Sequence, residues 1–462
     1  MSSTPVNFRE NVGRAIRDKS LRDAMRTSTD IFTIKRNEGV SQVPMEEWRE
    51  EASAVRLQVL DNLQEHVDRF SMQATRAGAV VHRARDAQMA RDTIFHLLKD
   101  RGAAKIVKAK SMITEEIHLN EHLQARGMDV VETDLGEYIV QLAGEKPSHI
   151  LAPAIHKNRR QVGRLFAETL GVDYSEDPEV LTKIARVRLR EKFLAADAGI
   201  SGVNFAVAES GSIVIFTNEG NGRMVTTLPP LHIAVLSIEK MIPSLKDLSA
   251  FVRLLPRSAT GQPLSSYVSM ITGTRKPGES TGAKELHIVL LDNGRTEILK
   301  GKYREILKCI RCSTCINVCP VYRVVGGHAY DSTYSGPVGV ILTALLDGME
   351  RSHPLTDAST LCGACDDACP VKVPLARLIS KLREDKNELK YGSMWERAGM
   401  FAYGIAAQSP WVFGLGKKAV RALWPLLTVL SGNGLPARFP APATKTFAEM
   451  MSGGNGRPEH RT

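Results

Sequence analysis

The sequence predicts an α/β domain with a largely parallel sheet, followed by a mostly helical segment that binds metal through cysteine. Three observations carry this reading. Between residues 66 and 300, short apolar runs bounded by Gly, Pro or Asn alternate with helical stretches. All seven cysteines of the 462-residue chain lie between Cys309 and Cys369. The flanking regions carry apolar residues at helical spacing among many charges.

In chain order, residues 1–65 read as an extended helical arm. Apolar positions recur at helical spacing in Phe8-Val12-Ile16 and in Val55-Leu57-Leu60-Leu63, and Pro44 with Glu46 and Glu47 marks a helix start. The α/β domain occupies 66–300. Its expected strands are 104–108, 129–133, 149–152, 212–216, 232–237 and 285–291, with a helix from Glu115 to Leu123 after the first. Residues 301–385 form the cysteine-bearing segment. The C-terminal region, 386–462, is helical at first, becomes Pro- and Gly-rich from Gly432, and ends in a disordered GGNGRPEHRT.

Composition narrows the function classes. The chain is 43% hydrophobic and 24% charged, ordinary for a soluble globular protein, and long enough for two or three domains. The N-terminal MSSTPVNFRENVGRAIRDKS has no apolar core, and no stretch reaches the 18 apolar residues of a spanning helix, so a cytoplasmic location is expected. There, clustered cysteines mean metal or redox chemistry. The net charge of +10 is spread along the chain without a basic block or a nucleic-acid motif, which argues against nucleic-acid binding.

The cysteines form Cys309-x2-Cys312-x2-Cys315-x3-Cys319-Pro320 and Cys362-x2-Cys365-x3-Cys369-Pro370. Two-residue gaps let one tight loop aim three sulfurs at one [4Fe–4S] cube, and the fourth cysteine, followed by Pro, ligates the other cube. By that crossover, the first cluster takes Cys309, Cys312, Cys315 and Cys369. The second takes Cys319, Cys362 and Cys365. Its fourth position, three residues before Cys362, is Ser359. A serine oxygen, a water or a [3Fe–4S] cluster would each account for this. The favoured reading is a [4Fe–4S] cube with a non-cysteine ligand. Zinc sites rarely use this spacing, and His328 after a Gly-Gly turn reads as structural. The long interval between the motifs, with an apolar helix at 338–346 and another beginning at 372–383, indicates the α-helical type of ferredoxin domain.

Signals in the α/β domain are weaker. Gly273-Thr-Arg-Lys-Pro-Gly278-Glu279 resembles a P-loop but has Glu279 where the phosphate-binding lysine belongs. Glu219-Gly220-Asn221-Gly222-Arg223 is a sharp turn without a dinucleotide fingerprint. Polar residues gather near these loops: Asn204, Glu209, Ser210, Asn218, Glu219 and Arg223, then Arg275 and Lys276. Lys108, Lys110, Ser111, Glu115 and Glu116 follow the first strand. Among them Glu209 and Arg223 are candidate catalytic residues. In the tail, Trp395, Phe401, Trp411 and Trp424, with Lys417, Lys418 and Arg421, are expected to pack over the cluster domain, with membrane contact at most peripheral.

Several longer stretches resemble the iron–sulfur lactate-utilisation protein B family. They are VKAKSMITEEI (107–117), VVETDLGEYI (130–139), SHILAPAIHK (148–157), GVNFAVAESGSIVIFTNEGNGRMVTTLPP (202–230) and ELHIVLLDNGR (285–295), together with both cysteine motifs. The resemblance implies a LUD domain similar to the NagB and CoA-transferase group, an α-helical ferredoxin domain and a family-specific C-terminal region. It implies a part in oxidising L-lactate to pyruvate, with a cysteine-rich partner and a second LUD-domain partner. It also implies serine at the position of Ser359. It supplies no catalytic residues in the LUD domain. Three roles follow as expectations: an electron conduit, a LUD domain that is itself catalytic on lactate or another small acid, or a structural scaffold.

Overall fold

Among the described residues, ten strands form where short apolar runs are interrupted by glycine or polar turns: β1 Val80–Ala84, β2 Lys105–Lys108, β3 Asp129–Glu132, β4 Ala198–Gly202, β5 Phe205–Val207, β6 Ser212–Thr217, β7 Leu231–Ser237, β8 Met241–Ile242, β9 Tyr267–Ile271 and β10 Glu285–Leu291. In the computed structural model, which describes residues 4–392, 394–430 and 443, six of them make a parallel sheet of order β1-β10-β7-β4-β2-β3. Every residue of β7 is buried, because helices cover both faces of such a sheet and leave no polar side. Ile233 of β7 pairs with Ile200 of β4 on one side and His287 of β10 on the other.

The remaining strands form a second, mixed sheet of order β8-β5-β6-β9. Its β5–β6 hairpin turns at Gly211, whose φ of +68° and close approach to Ala74 exclude a side chain: a Cβ would lie 2.2 Å from Ala74 N. That contact seats the hairpin on the helix Leu63–Arg76. Gly273 does the same against Ala77 O, where a Cβ would come within 1.8 Å. Glu279 accepts a hydrogen bond from Lys276 N within the same loop. The 273–280 loop is thus a structural turn.

The strands expected at 104–108, 129–133, 212–216, 232–237 and 285–291 are present, as Lys105–Lys108, Asp129–Glu132, Ser212–Thr217, Leu231–Ser237 and Glu285–Leu291. The one expected at 149–152 is not. There the His149 ring accepts hydrogen bonds from Leu151 N and Ala152 N, while its Nε2 pairs with Asn317 at 3.0 Å. The backbone donors a strand would use are spent on that ring, and the segment becomes a loop that seats the cysteine-bearing region. Tyr322 Oη donates to Ser148 O beside it.

The N-terminal residues are helical, over Phe8–Arg17, Lys19–Ser41 and Met45–Asp61, but they form a clamp rather than an extended arm. Gly39 packs so closely on Gly261, at the end of the helix Leu245–Thr260, that a Cβ would lie 2.4 Å from its carbonyl oxygen. Elsewhere Asp30 pairs with Arg323, and Arg36 and Arg49 reach carbonyls beside Cys369. The cysteine-bearing region is built on short helices around the largely apolar Gly336–Leu346, with Leu375–Glu388 packed against it.

Residues 389–462 form a separate unit. Its described part is two helices, Met394–Ala407 and Pro410–Leu430, in contact through Tyr403 and Phe413. Phe401 and Trp411 are exposed. The side chain of Trp395, the Pro/Gly-rich stretch and GGNGRPEHRT lie outside the described residues. Among the described residues no helix is long and apolar enough to cross a membrane.

Candidate metal centre and adjoining cavity

The two cysteine loops repeat one backbone pattern. Arg311 (φ 59°) and Ser313 (φ 60°) flank Cys312 in the left-handed region, and Leu361 (φ 54°) and Gly363 (φ 81°) flank Cys362 in the same way. Three of these four residues are not glycine, so each carries a steric cost accepted for the loop shape. The correspondence extends to hydrogen bonds. Arg311 N donates to Cys309 Sγ at 3.4 Å, and Leu361 N donates to Ser359 Oγ at 3.1 Å. Ser359 therefore occupies in the second loop the place Cys309 holds in the first. Each loop runs into a short helix, Thr314–Asn317 or Ala364–Ala368, and these pack together.

All seven cysteines are free thiols. Cys369 lies within electrostatic range of Cys312 and Cys309, and Cys319 within range of Cys362 and Cys365. Cys315 senses Cys309, Cys312 and Cys369, and also Cys365 of the other group. Burial, then Asp366, pushes Cys365 up to about 12, and burial, then Cys312, does the same for Cys369. Holding such groups as thiolates calls for bound metal charge. Backbone donors are already aimed at sulfur, as where Val373 N meets Cys369 Sγ at 3.2 Å. A soft, all-sulfur donor set with amide donors around it suits iron–sulfur clusters. Most of both groups is buried, Cys312, Cys315 and Cys369 in the first and Cys319 and Cys365 in the second; Cys309 is half-buried, and Cys362 alone among the cysteines is exposed, with Thr360 and Leu361 beside it.

Next to the first group is a cavity of ≈ 390 Å³. It lies beyond the carboxyl ends of β2, β3, β4 and β7, the usual ligand position in an open parallel sheet. Its charged lining falls into two sets. One is Lys110, Asp134 and Glu219, following β2, β3 and β6. Burial and the neighbouring Asp134 raise Glu219 to about 7. The other is Lys240, just after β7, and Arg311 from the cysteine loop. Burial and then Arg311 bring Lys240 down to about 7. The Arg311 guanidinium stacks over Tyr334 at 5.2 Å and reaches Glu239 at 3.5 Å.

A buried ionic network fixes this wall. Arg295 pairs with Glu116 at 2.8 Å and Glu239 at 2.9 Å, and Tyr334 Oη donates to Glu116 at 2.7 Å. Burial opposes ionisation of Glu239, but Arg295 and Arg311 overrule it and bring the group down to about 2.

Of the polar residues named from sequence, Lys110, Ser111, Asn204, Asn218 and Glu219 line the cavity. Glu209 and Arg223 do not. Glu209 is exposed and accepts from Leu245 N at the start of the helix Leu245–Thr260, and Arg223 is exposed on the helix Asn221–Thr227. Lys108 is buried in an ion triad with Glu132 and Glu115. Arg275 and Lys276 belong to the structural turn. His328 Nε2 donates to Lys146 O, 2.7 Å away, and joins His156 and Glu145, whose carboxylate is already held by Lys157. Sequence reasoning missed Lys240, Arg311 and Tyr334. Arg311 could have been found, since it lies between Cys309 and Cys312 of the first cysteine motif.

Comparison with known proteins matches residues 67–291 to the LUD domain and residues 305–373 to the 4Fe-4S dicluster domain. The chain is 43% identical to lactate utilization protein B of Lysinibacillus sphaericus (strain C3-41), over 100% of this chain and 98% of that protein. The chain belongs to the lactate utilization protein B family. The family member of Bacillus subtilis (strain 168) is 44% identical over 96% of both chains, and that of Bacillus licheniformis is 44% identical over 89% of this chain and 87% of its own. In this member of the lactate utilization protein B family the 4Fe-4S domain contains all seven cysteines, and the LUD domain contains every strand of both sheets. The cavity lies between these two domains, with Lys240 from one and Arg311 from the other.

Proposed function

We propose that this chain is the electron-carrying iron–sulfur subunit of an assembly that oxidises L-lactate to pyruvate. The repeated loop geometry carries the reading. It supports one [4Fe–4S] cluster on Cys309, Cys312, Cys315 and Cys369 and a second on Cys319, Cys362 and Cys365, with Ser359 at the remaining corner. Two such clusters supply a one-electron relay. The chain's own residues hold the first ligand set away from water, through Arg36, Arg49 and Arg56 of the N-terminal clamp and the apolar helix Gly336–Leu346. They leave one corner of the second set at the surface, where Cys362 is exposed beside Thr360 and Leu361 while Cys319 and Cys365 stay buried, a fitting exit toward a partner. The partners expected are a cysteine-rich subunit and a second LUD-domain subunit.

Iron and sulfide counting with EPR on anaerobically purified protein tests this directly. About eight irons per chain and two interacting, reversibly reducible signals are expected. A stable three-iron signal in undamaged protein would remove the fourth ligand at Ser359. Clusters that cannot be reduced at physiological potentials would leave only a scaffold role.

A further inference from the structure

The relay makes no use of the separate unit at 389–462, and that unit presents an unusual surface. Among the described residues, the two most exposed large apolar side chains are Trp411 (73%) and Phe401 (72%), one on each of its helices. Two helices share only one seam, here Tyr403 against Phe413 with ring centroids 6.3 Å apart, so most of each apolar arc faces solvent. On Pro410–Leu430 the polar side is narrow. Lys417, Lys418 and Arg421 fall within about 100° of the circumference, because a helix turns about 100° per residue. Trp411, Leu415, Val420, Leu423 and Leu426 occupy the remaining arc, and all are exposed. At the border between the two arcs, the Lys417 ammonium lies 5.3 Å from the centre of the Phe413 ring. The charge is equally one-sided: every charged residue from Arg397 to Leu430 is a cation, and the next acidic residue is Glu449.

We propose that these two helices lie in the plane of an anionic membrane surface, with the apolar arc sunk toward the acyl chains and Lys417, Lys418 and Arg421 at the lipid phosphates. Charge and shape together select lipid. An acid-free stretch with clustered cations is attracted to a surface of negative potential, and nothing in it is repelled. The apolar arc runs well over half-way round Pro410–Leu430 without a charged side chain, whereas a protein-binding face has a polar rim and hydrogen-bonding groups set for one partner. A second copy would bring one acid-free surface against another, with no anion to offset the cations. The rings of Trp411 and Tyr403 suit the headgroup level, where one end of an aromatic side chain is apolar and the other wet. Among the described residues no helix is long and apolar enough to cross a membrane, so the attachment is interfacial and reversible. The inference stands apart from the relay reading: it concerns where the subunit sits, not what it carries.

The test is co-sedimentation of the full chain, purified anaerobically with its metal, with vesicles of phosphatidylglycerol and phosphatidylcholine in equal parts, and with vesicles of phosphatidylcholine alone. Saturable binding to the anionic vesicles is expected, weakening as salt rises, with binding to the neutral vesicles at least about tenfold weaker. Joint Lys417→Gln and Lys418→Gln substitution is expected to weaken anionic-vesicle binding by at least about tenfold, and joint Lys417→Arg and Lys418→Arg substitution to leave it near wild type. Trp411→Ser removes apolar depth and not charge, so it should weaken binding while the salt dependence remains. Iron content should match wild type in every variant. A wild-type chain that ignores anionic vesicles at low salt, or binds both kinds equally, overturns the proposal without any variant having to fold. So does a glutamine variant that binds as wild type does. A concentration-dependent dimer that Trp411→Ser dissociates, with no vesicle binding, would assign the surface to a second copy instead.

Discussion

Arg56 Nε donates to the carbonyl oxygen of Lys308, the residue immediately before Cys309, at 3.2 Å. The same guanidinium reaches Leu307 O at 2.8 Å and Met241 O at 2.9 Å, and also Glu239 O. One fully buried side chain of the N-terminal clamp thus fastens the entry of the first cysteine loop to the edge of the LUD domain. Only a fork of donors can satisfy carbonyls from two segments at once.

Replacing Arg56 is therefore expected to be severe. Arg56→Met would leave several buried carbonyls without donors, at a cost of roughly 3 kcal/mol or more. Arg56→Lys would recover only part, because an ammonium cannot span the set. Anaerobic thermal unfolding and iron content per chain measure this. A loss under 1 kcal/mol would show that water replaces the guanidinium without penalty.

Ser359 gives a sharper spectroscopic prediction. If it stands at the position equivalent to Cys309, Ser359→Cys supplies a fourth thiolate without rebuilding the loop. Two cubes are expected to persist, with the EPR signal and potential of one altered and the other untouched. Cys312→Ser should affect the opposite cluster. A Ser359→Cys protein indistinguishable from wild type would place the serine away from iron.

Acid sensitivity follows from buried groups in the sheet. His232 on β7 hydrogen-bonds Ser201 at 2.7 Å, and burial lowers it from 6.5 to about 4. Above pH 6.5 the ring is neutral in both folded and unfolded chains and contributes no pH dependence. Between 6.5 and 4 only the unfolded chain takes the proton, so stability falls with pH, by at most roughly 3 kcal/mol. Glu239, brought down to about 2, then loses its contribution between 4.5 and 2. Equilibrium unfolding from pH 7 to 5 should be steeper for wild type than for His232→Gln. Equal slopes would mean that the ring already titrates in the folded state.

How far the sequence revealed this arrangement depends on how local each feature is. That the cysteines belong to a 4Fe-4S domain was legible because their spacing within each loop is a local property. β7 and β10 were legible because a strand covered on both faces reads as a near-continuous apolar run. β4 was not, since Ala198–Gly202 carries two glycines. Gly199 is required there because a Cβ would lie 2.0 Å from Val225 O, a tertiary contact that no pattern announces. Residues 149–152 looked like a strand by composition, but the ring of His149 competes for the backbone donors. Glu209 and Arg223 were chosen as polar groups on sharp loops, yet which way a loop residue faces is decided by the whole fold. The cavity joins Lys110, Lys240 and Arg311 from distant parts of the chain, so only the assembled domains define it.

Charge around the first cluster leads to a prediction about potential. Arg49 Nε donates to Cys369 O at 3.0 Å and another of its nitrogens to Asp366 O at 3.2 Å, while Arg36 reaches Ala368 O at 3.2 Å. Both cations stand beside a ligand set that gains negative charge on reduction. They favour the reduced state, and removing one should make reduction harder. At an effective dielectric near that of a protein surface, one charge at this range shifts a one-electron couple by on the order of 50 mV. Arg49→Gln, which can still donate to a carbonyl, should lower the potential of one cluster by about that much and leave the other unchanged. Arg49→Lys keeps the charge and should stay close to wild type. Potentiometric EPR titration of the three proteins checks the sign. An unchanged potential in Arg49→Gln would mean that solvent already screens Arg49, which would then act only as a clamp on the loop.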